Sequence, residues 1–134
     1  MNASRETLLR ETFNASNEGK MHFAEVITRL VAAGIESYSV DYRSHHATYF
    51  LDNDETIAFE LDTPATSIPR QFIGEDLQAA IRGSQQGVVM YPEFKRLSMA
   101  AGCVGYTVWI SGRHVTYFGR NGETHVERFP DTSV

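Results

Sequence analysis

The chain has 134 residues, of which 42% are hydrophobic and 22% charged, so it is long enough and apolar enough for one folded domain. Its formal net charge of -5 and the lack of a Lys/Arg cluster argue against nucleic-acid binding, which needs a clustered basic surface. A single cysteine excludes an internal disulfide, and no segment approaches the roughly 18 apolar residues of a membrane-spanning helix. We therefore expect a soluble, cytoplasmic domain over residues 1–134 that carries no cofactor and does not contact a membrane.

Four helices are predicted from apolar residues at helical spacing. They cover residues 4–16, 23–34, 73–83 and 92–102. Gly34, Gly83 and Gly102 are the expected helix stops, because glycine readily takes the backbone conformation that ends a helix. Pro92 fits a first helical turn, where its missing N–H would have no partner.

Three strands are predicted after the second helix and three more after the fourth, from runs in which apolar and polar residues alternate. They cover residues 38–42, 47–51, 56–61, 106–110, 115–118 and 124–129. A two-residue turn at 111–112 would place Tyr106 opposite Tyr117, and the matching turn in the first set would pair its tyrosines in the same way. The Asn-Gly pair at 121–122 favours another two-residue hairpin, which would place Val126 beside Tyr117 on a core face.

The two strand sets are copies of one another. Residues 22–59 slide onto residues 90–127 without gaps, at an offset of 68, and match at 13 of 38 positions, including a shared His-x-Thr-Tyr-Phe string. We predict an α+β fold in which a helix plus a three-stranded antiparallel meander is internally duplicated, with an extra N-terminal helix and a linking helix. The units would span about 20–61 and 88–129, separated by a linker and the third helix at 62–87. Whether the units share one sheet is left open.

The face opposite the predicted core mixes aromatic and polar side chains, as interfaces and shallow binding surfaces do. Its candidate binding residues are Trp109, His114, Thr116, Phe118, His125, Glu127, His46, Thr48 and Phe50. Asp41, Ile57, Phe59 and Phe129 are expected on the same face. This pattern favours a non-catalytic binding or protein-interaction module, whose partner is another protein, a small ligand or a second copy of the chain.

The alternative is a small enzyme that uses His46 and His114, with or without a metal ion. These histidines occupy equivalent positions in the two units and could meet across an internal twofold axis. However, the chain has no HxxxH, HExxH or CxxC spacing for zinc and no GxSxG nucleophile motif. Histidines that hydrogen-bond within the sheet are the favoured interpretation of the pattern, and Cys103 fits a buried, inert thiol.

Three features carry a family resemblance: the Ala-Gly helix stop before each first strand, Gln86-Gly87 followed by Tyr91–Phe94, and Tyr117-Phe118 followed by Asn121-Gly122. Over residues 20–129 the chain resembles the small YdfO/YbcV-like bacterial proteins, a domain of unknown function. Members of that group occur in prophage regions, and some carry a phage envelope label. The resemblance implies the same fold and a phage-related setting, and it brings no activity to any residue.

Overall fold

Two helices followed by three strands occur twice along the chain, and this order defines the architecture. The elements are α1 Ala3–Asn17, α2 Phe23–Ala32, β1 Ile35–Asp41, β2 His46–Leu51, β3 Thr56–Glu60, α3 Gly74–Gln85, α4 Tyr91–Ala100, β4 Cys103–Trp109, β5 His114–Gly119 and β6 Thr124–Arg128. The structure is a computed structural model that describes residues 2–130. The predicted domain, 1–134, also includes residue 1 and residues 131–134, which lie outside the described residues.

The structure extends the repeat to the first helix of each unit. The offset of 68 carries α1 onto α3, because α1 ends at Asn17 and α3 ends at Gln85. Leu9 and Leu77, which are equivalent, are both fully buried. The exposed sides of the two helices differ almost completely, so the relation is visible mainly in what each helix buries.

Glycine ends α2 and α4 as predicted, with Gly34 and Gly102 at φ 79° and 90°. The third helix, predicted to end near Gly83, continues two residues further to Gln85. Gly83 lies where a Cβ atom would come within 2.6 Å of the Val89 side chain, so glycine is needed there for close packing. The chain turns away from α3 at Gly87, which has a positive φ of 77°.

One antiparallel sheet of six strands joins the two units, in the order β3-β2-β1-β4-β5-β6. The first strands of the units, β1 and β4, pair at its centre, where Ser39 lies opposite Thr107. The hydroxyl oxygens of these two equivalent residues are 2.9 Å apart. A pseudo-twofold axis therefore passes between them, perpendicular to the sheet.

The predicted register of the first two strands in each unit is confirmed, with Tyr38 opposite Tyr49 and Tyr106 opposite Tyr117. The predicted register of β6 is wrong by one residue, because Tyr117 lies opposite His125. The cause is a three-residue loop, 120–122, in place of the two-residue turn.

That loop is closed by the N–H of Gly119, which donates to the carbonyl of Glu123 at 2.8 Å. A two-residue type I′ turn needs positive φ at both central residues, whereas here only Gly122 has it, at 83°. The first unit has the same loop over 52–54, where Asp54 takes φ 71°. β3 and β6 consequently pair with β2 and β5 in equivalent registers, one residue away from the pairing predicted for β6.

A shift of one residue exchanges the faces of a strand. Val126, predicted in the core, is 55% exposed, and His125 and Glu127 point toward the helices. Ile57, Phe59 and Phe129 likewise lie on the helix side instead of on the predicted outer face. The four helices cover that side of the sheet, and the core lies between the two layers.

Candidate functional site

The side of the sheet away from the helices is here called the open face. It carries seven of the candidate binding residues predicted from the sequence: Trp109, His114, Thr116, Phe118, His46, Thr48 and Phe50. Trp109 is 43% exposed, and its ring centroid lies 6.4 Å from that of His114. Half-buried hydroxyl residues form the middle of the face, namely Thr48, Ser39, Thr107 and Thr116.

His46 and His114 lie at opposite ends of the open face and do not form a shared site. Three interstrand spacings of roughly 4.8 Å and four residues of roughly 3.3 Å separate them, or about 20 Å in total. Each instead makes the same local contact, since its Nδ1 lies within hydrogen-bond distance of the carbonyl oxygen two residues earlier, at 2.6 Å and 3.1 Å. Within residues 2–130 no group of three or more His, Cys, Asp or Glu side chains could hold a metal ion.

His125 and Glu127, which were predicted on the open face, belong to a polar cluster on the helix side of β6. Glu127 Oε1 accepts a short hydrogen bond from the Arg82 guanidinium of α3. Nε2 of His125 lies 3.7 Å from Glu127 Oε2. This nitrogen is buried and has no hydrogen-bond partner among the described residues. The three residues Arg82, His125 and Glu127 are here called the polar cluster.

A partly enclosed cavity of about 280 Å³ lies between the helices and the sheet, next to the polar cluster. The pseudo-twofold axis runs through it, because equivalent residues of both units line it. Its lining includes the pairs Tyr38/Tyr106, Tyr49/Tyr117, Val40/Val108, Phe23/Tyr91, Phe13/Ile81 and Ser16/Ser84. Each helix contributes the end that points toward the axis, so the cavity is built into the way the two units join.

Four tyrosines dominate the sheet side of the cavity. Tyr38 stacks on Tyr49 with ring centroids 4.8 Å apart, and Tyr106 contacts Tyr117 at 5.5 Å. The Tyr106 hydroxyl donates to the Tyr91 hydroxyl at 2.6 Å. In the first unit the place of Tyr91 is taken by a phenylalanine, so Tyr38 has no such partner.

Among residues 2–130, the hydroxyls of Tyr38, Tyr49 and Tyr117 make no hydrogen bond to the protein. Burial raises the pKa of all three well above the ordinary tyrosine value of 10.0. They are therefore neutral phenols at any physiological pH, and each can donate and accept a hydrogen bond. They are poorly suited to act as bases or nucleophiles.

The cavity is partly open to solvent. Its exposed lining residues are His22, Gln85, Gln86 and Arg128, from the start of α2, the end of α3 and β6. Glu127 of the polar cluster lines the same side, and its side chain is 15% exposed. We call this opening the mouth.

Lys95 of α4, which is only 5% exposed, lies beside the lining residues Asn17 and Tyr91. Its Nζ donates to Asn17 Oδ1 at 2.9 Å and to the carbonyl oxygen of Asp62, and lies 5.2 Å from the centroid of the Tyr91 ring. The equivalent of Lys95 in the first unit is Ile27, which cannot make these bonds.

Cys103 is buried, and its thiol donates to the carbonyl of Gly105 at 3.2 Å. Burial raises the pKa of this thiol to about 11. The thiolate is the reactive form of cysteine, so Cys103 is inert at neutral pH, in line with the sequence-based interpretation.

The cavity was missed by sequence reasoning, which assigned the tyrosines to structure alone. One signal was available: four tyrosines repeat on one predicted face, which is more hydroxyl groups than a core can readily satisfy with hydrogen bonds. The polar cluster gave no signal, because the predicted register placed His125 and Glu127 on the opposite face.

The fold and the cavity define a duplicated α+β domain with an internal, tyrosine-lined pocket. The family model described as a protein of unknown function (DUF1398) matches residues 10–127, and the chain belongs to this family. None of the curated proteins compared with the chain matches it significantly. Among the described residues, no helix is long and apolar enough to span a membrane.

Proposed function

We propose that this protein is a non-catalytic binding module that holds a small, largely apolar ligand in the cavity between its helices and its sheet. The observation that carries the proposal is the set of tyrosine hydroxyls, on Tyr38, Tyr49 and Tyr117, that line the cavity without a protein partner. The three hydroxyl oxygens are not fully enclosed by protein, so each can reach a water molecule or a ligand in the cavity. A ligand with an acceptor or donor atom would supply the missing bonds.

The size of the cavity limits the ligand. A buried apolar cavity of about 150 Å³ accepts one benzene ring. A cavity of about 280 Å³ would therefore accept a body of two fused rings with short substituents. The aromatic lining favours a flat ligand, because tyrosine and phenylalanine rings pack well against planar groups.

Binding without catalysis is the better interpretation of the chemistry. The buried tyrosines and Cys103 have raised pKa values, which disfavour the charged forms that act as nucleophiles and bases. The likeness to YdfO/YbcV-like proteins favours a bacterial, phage-related setting, and we place the binding in the cytoplasm.

The test uses 6-methoxy-2-naphthalenemethanol, a fused-ring probe with an ether oxygen at one end and a hydroxyl at the other. Isothermal titration calorimetry should show saturable binding of one probe per chain. The double variant Tyr38→Phe/Tyr49→Phe should bind about tenfold more weakly, since it removes two donors worth roughly 0.5–1.5 kcal/mol each. Its thermal stability should not fall, because these hydroxyls have no protein partner to lose.

Trp109→Ala is the matched control, because this aromatic residue lies on the open face and not in the cavity lining. It should leave probe affinity unchanged. No saturable binding to the wild-type protein, or equal loss of affinity in the Trp109→Ala variant, would contradict the proposal.

A second candidate is self-association through the open face. The observation that favours it is the 43% exposure of Trp109 on a side of the sheet that no described helix covers. Sedimentation velocity would show a dimer that Trp109→Ala converts to monomer. A monomer at all accessible concentrations would eliminate this candidate and leave the cavity proposal intact.

A further inference from the structure

The two units share one backbone plan but differ at the inward positions of their edge strands. In β3 these positions hold Ile57 and Phe59, and Phe59 packs against Phe13 at 4.8 Å between ring centroids. In β6 the same positions hold His125 and Glu127. Because the first unit folds with apolar residues there, the fold itself does not require a carboxylate at this place.

Glu127 is held in one position by its neighbours. Arg82, on α3, donates a hydrogen bond from its guanidinium to Oε1 of Glu127, and the Glu127 side chain is only 15% exposed. His125 sits beside it on the same strand, with Nε2 buried and 3.7 Å from Oε2. Arg82 is 46% exposed, so the pair is open to solvent on the Arg82 side and faces the cavity on the Glu127 side.

Oε2 of Glu127 has unused capacity to accept hydrogen bonds. Each carboxylate oxygen can accept about two, and no hydrogen bond reaches Oε2 from the described residues. The Glu127 side chain also lines the mouth of the cavity. Oε2 of Glu127 is therefore a fixed, charged acceptor at the mouth, suited to a ligand that places a hydrogen-bond donor at that position.

We propose that Glu127 is the polar anchor of the cavity and that the ligand carries a neutral hydrogen-bond donor, an O–H or N–H group, at its outer end. The donor would bond to Oε2 while the fused-ring body lies among the tyrosines. Arg82 acts as a positioning residue, because its bond to Oε1 holds the carboxylate toward the mouth. This inference rests on the proposed function.

The charges around the anchor decide between donor classes. A carboxylate on the ligand would meet the Glu127 carboxylate at close range, which is unfavourable. A full positive charge is not required, because Arg82 already balances the charge of Glu127. A neutral alcohol or amide N–H satisfies Oε2 at the lowest desolvation cost.

Three probes that differ only at the outer end test the inference: 6-methoxy-2-naphthalenemethanol, its methyl ether, and 6-methoxy-2-naphthoate. Calorimetric titrations should show that the wild-type protein binds the alcohol about tenfold more tightly than the ether, which is the size of one hydrogen bond to a charged group. The naphthoate should bind most weakly of the three. Glu127→Leu should bring the alcohol-to-ether ratio close to one while ether affinity changes less than threefold.

Glu60→Leu is the matched control, because Glu60 is an exposed carboxylate on the other edge strand, next to the counterpart of Glu127. It should keep the tenfold ratio. Glu127→Gln, which preserves shape, is the second variant should Glu127→Leu fail to fold, and it should lower the ratio at least threefold.

The outcomes separate this inference from the proposed function. If no probe binds the wild-type protein, the proposed function fails. If the probes bind but the alcohol shows no advantage, or the advantage survives in both Glu127 variants, the cavity proposal stands and the anchor is refuted. Tightest binding of the naphthoate would also refute the anchor.

Discussion

Alkaline pH should unfold this protein abruptly, and its tyrosines should ionise only as it unfolds. Five tyrosines are at least nine-tenths buried: Tyr38, Tyr42, Tyr49, Tyr106 and Tyr117. Burial raises the pKa of every one of them above the value of 10.0 that applies to the unfolded chain. The folded state therefore holds protons that the unfolded state releases.

The direction of the effect follows from proton linkage. A group with a raised pKa in the folded state contributes its stability fully below its unfolded pKa and loses it as pH rises above that value. Each such tyrosine removes about 1.4 kcal/mol per pH unit above pH 10. With Tyr91, whose pKa burial also raises, the six tyrosines together remove about 8 kcal/mol per pH unit, against a total stability of about 5–15 kcal/mol for an ordinary domain. We expect the unfolding midpoint at about pH 11 to 12.

The assay follows tyrosinate absorbance and far-ultraviolet circular dichroism on the same samples as pH is raised. The two signals should change together in one steep transition. Tyr49→Phe should make the transition shallower, since it removes one group from the linkage and about 1.4 kcal/mol per pH unit from the slope. Gradual ionisation of most tyrosines near pH 10, with the circular dichroism unchanged, would refute the buried tyrosine cluster.

Three further predictions test the fold. In chemical denaturation, Asp54→Gly should stabilise the protein by about 1 kcal/mol, and Gly122→Asp, at the equivalent loop position, should destabilise it by a similar amount. Both positions take positive φ, which only glycine adopts freely. Stability changes of the same sign in the two variants would contradict the matched loops. Val126→Lys should change the free energy of unfolding by less than about 0.5 kcal/mol, whereas Val115→Lys should lower it by more than about 3 kcal/mol. A larger loss of stability for Val126→Lys than for Val115→Lys would favour the register of the two-residue turn. Cys103 should resist a disulfide-forming thiol reagent at pH 8 in the folded protein and react fully in denaturant, because burial raises its pKa to about 11 and excludes the reagent; rapid reaction in the native state would contradict its placement.

The sequence predicted the strands and the central register because those features depend on local rules. The turns before β2 and β5 are short, and apolar and polar residues alternate strongly on both sides of them. Together these features fix the register, so that Tyr38 lies opposite Tyr49. The single sheet could not be derived, since the pairing of β1 with β4 joins residues 68 positions apart, as Ser39 and Thr107 show.

The register of β6 was mispredicted for a specific physical reason. An Asn-Gly pair fits both a two-residue turn and a three-residue loop, and the choice depends on whether Asn121 takes positive φ. In β6 the inward residues His125 and Glu127 are more polar than Val126 between them, so hydrophobicity favoured the wrong face. A polar group on the core side is the kind of local inconsistency that marks functional positions.

The cavity itself could not be predicted, because its volume depends on the separation of the helix and sheet layers. That separation depends on residues of both units, such as Phe23 of α2 and Tyr91 of α4, which line the cavity together only in the assembled fold. The equivalence of α1 and α3 was hidden for a related reason. The two helices bury similar residues and share almost none of their exposed ones.

The central claim is that the cavity, and not the open face, is the binding site. Nuclear Overhauser effects between 6-methoxy-2-naphthalenemethanol and the protein's aromatic rings test it most directly. We predict contacts from the probe to the rings of Tyr38, Tyr49 and Tyr117, with none to Trp109 or Phe118 on the open face. Contacts to Trp109 and Phe118 without contacts to the tyrosines would contradict the account and make the open face the binding site.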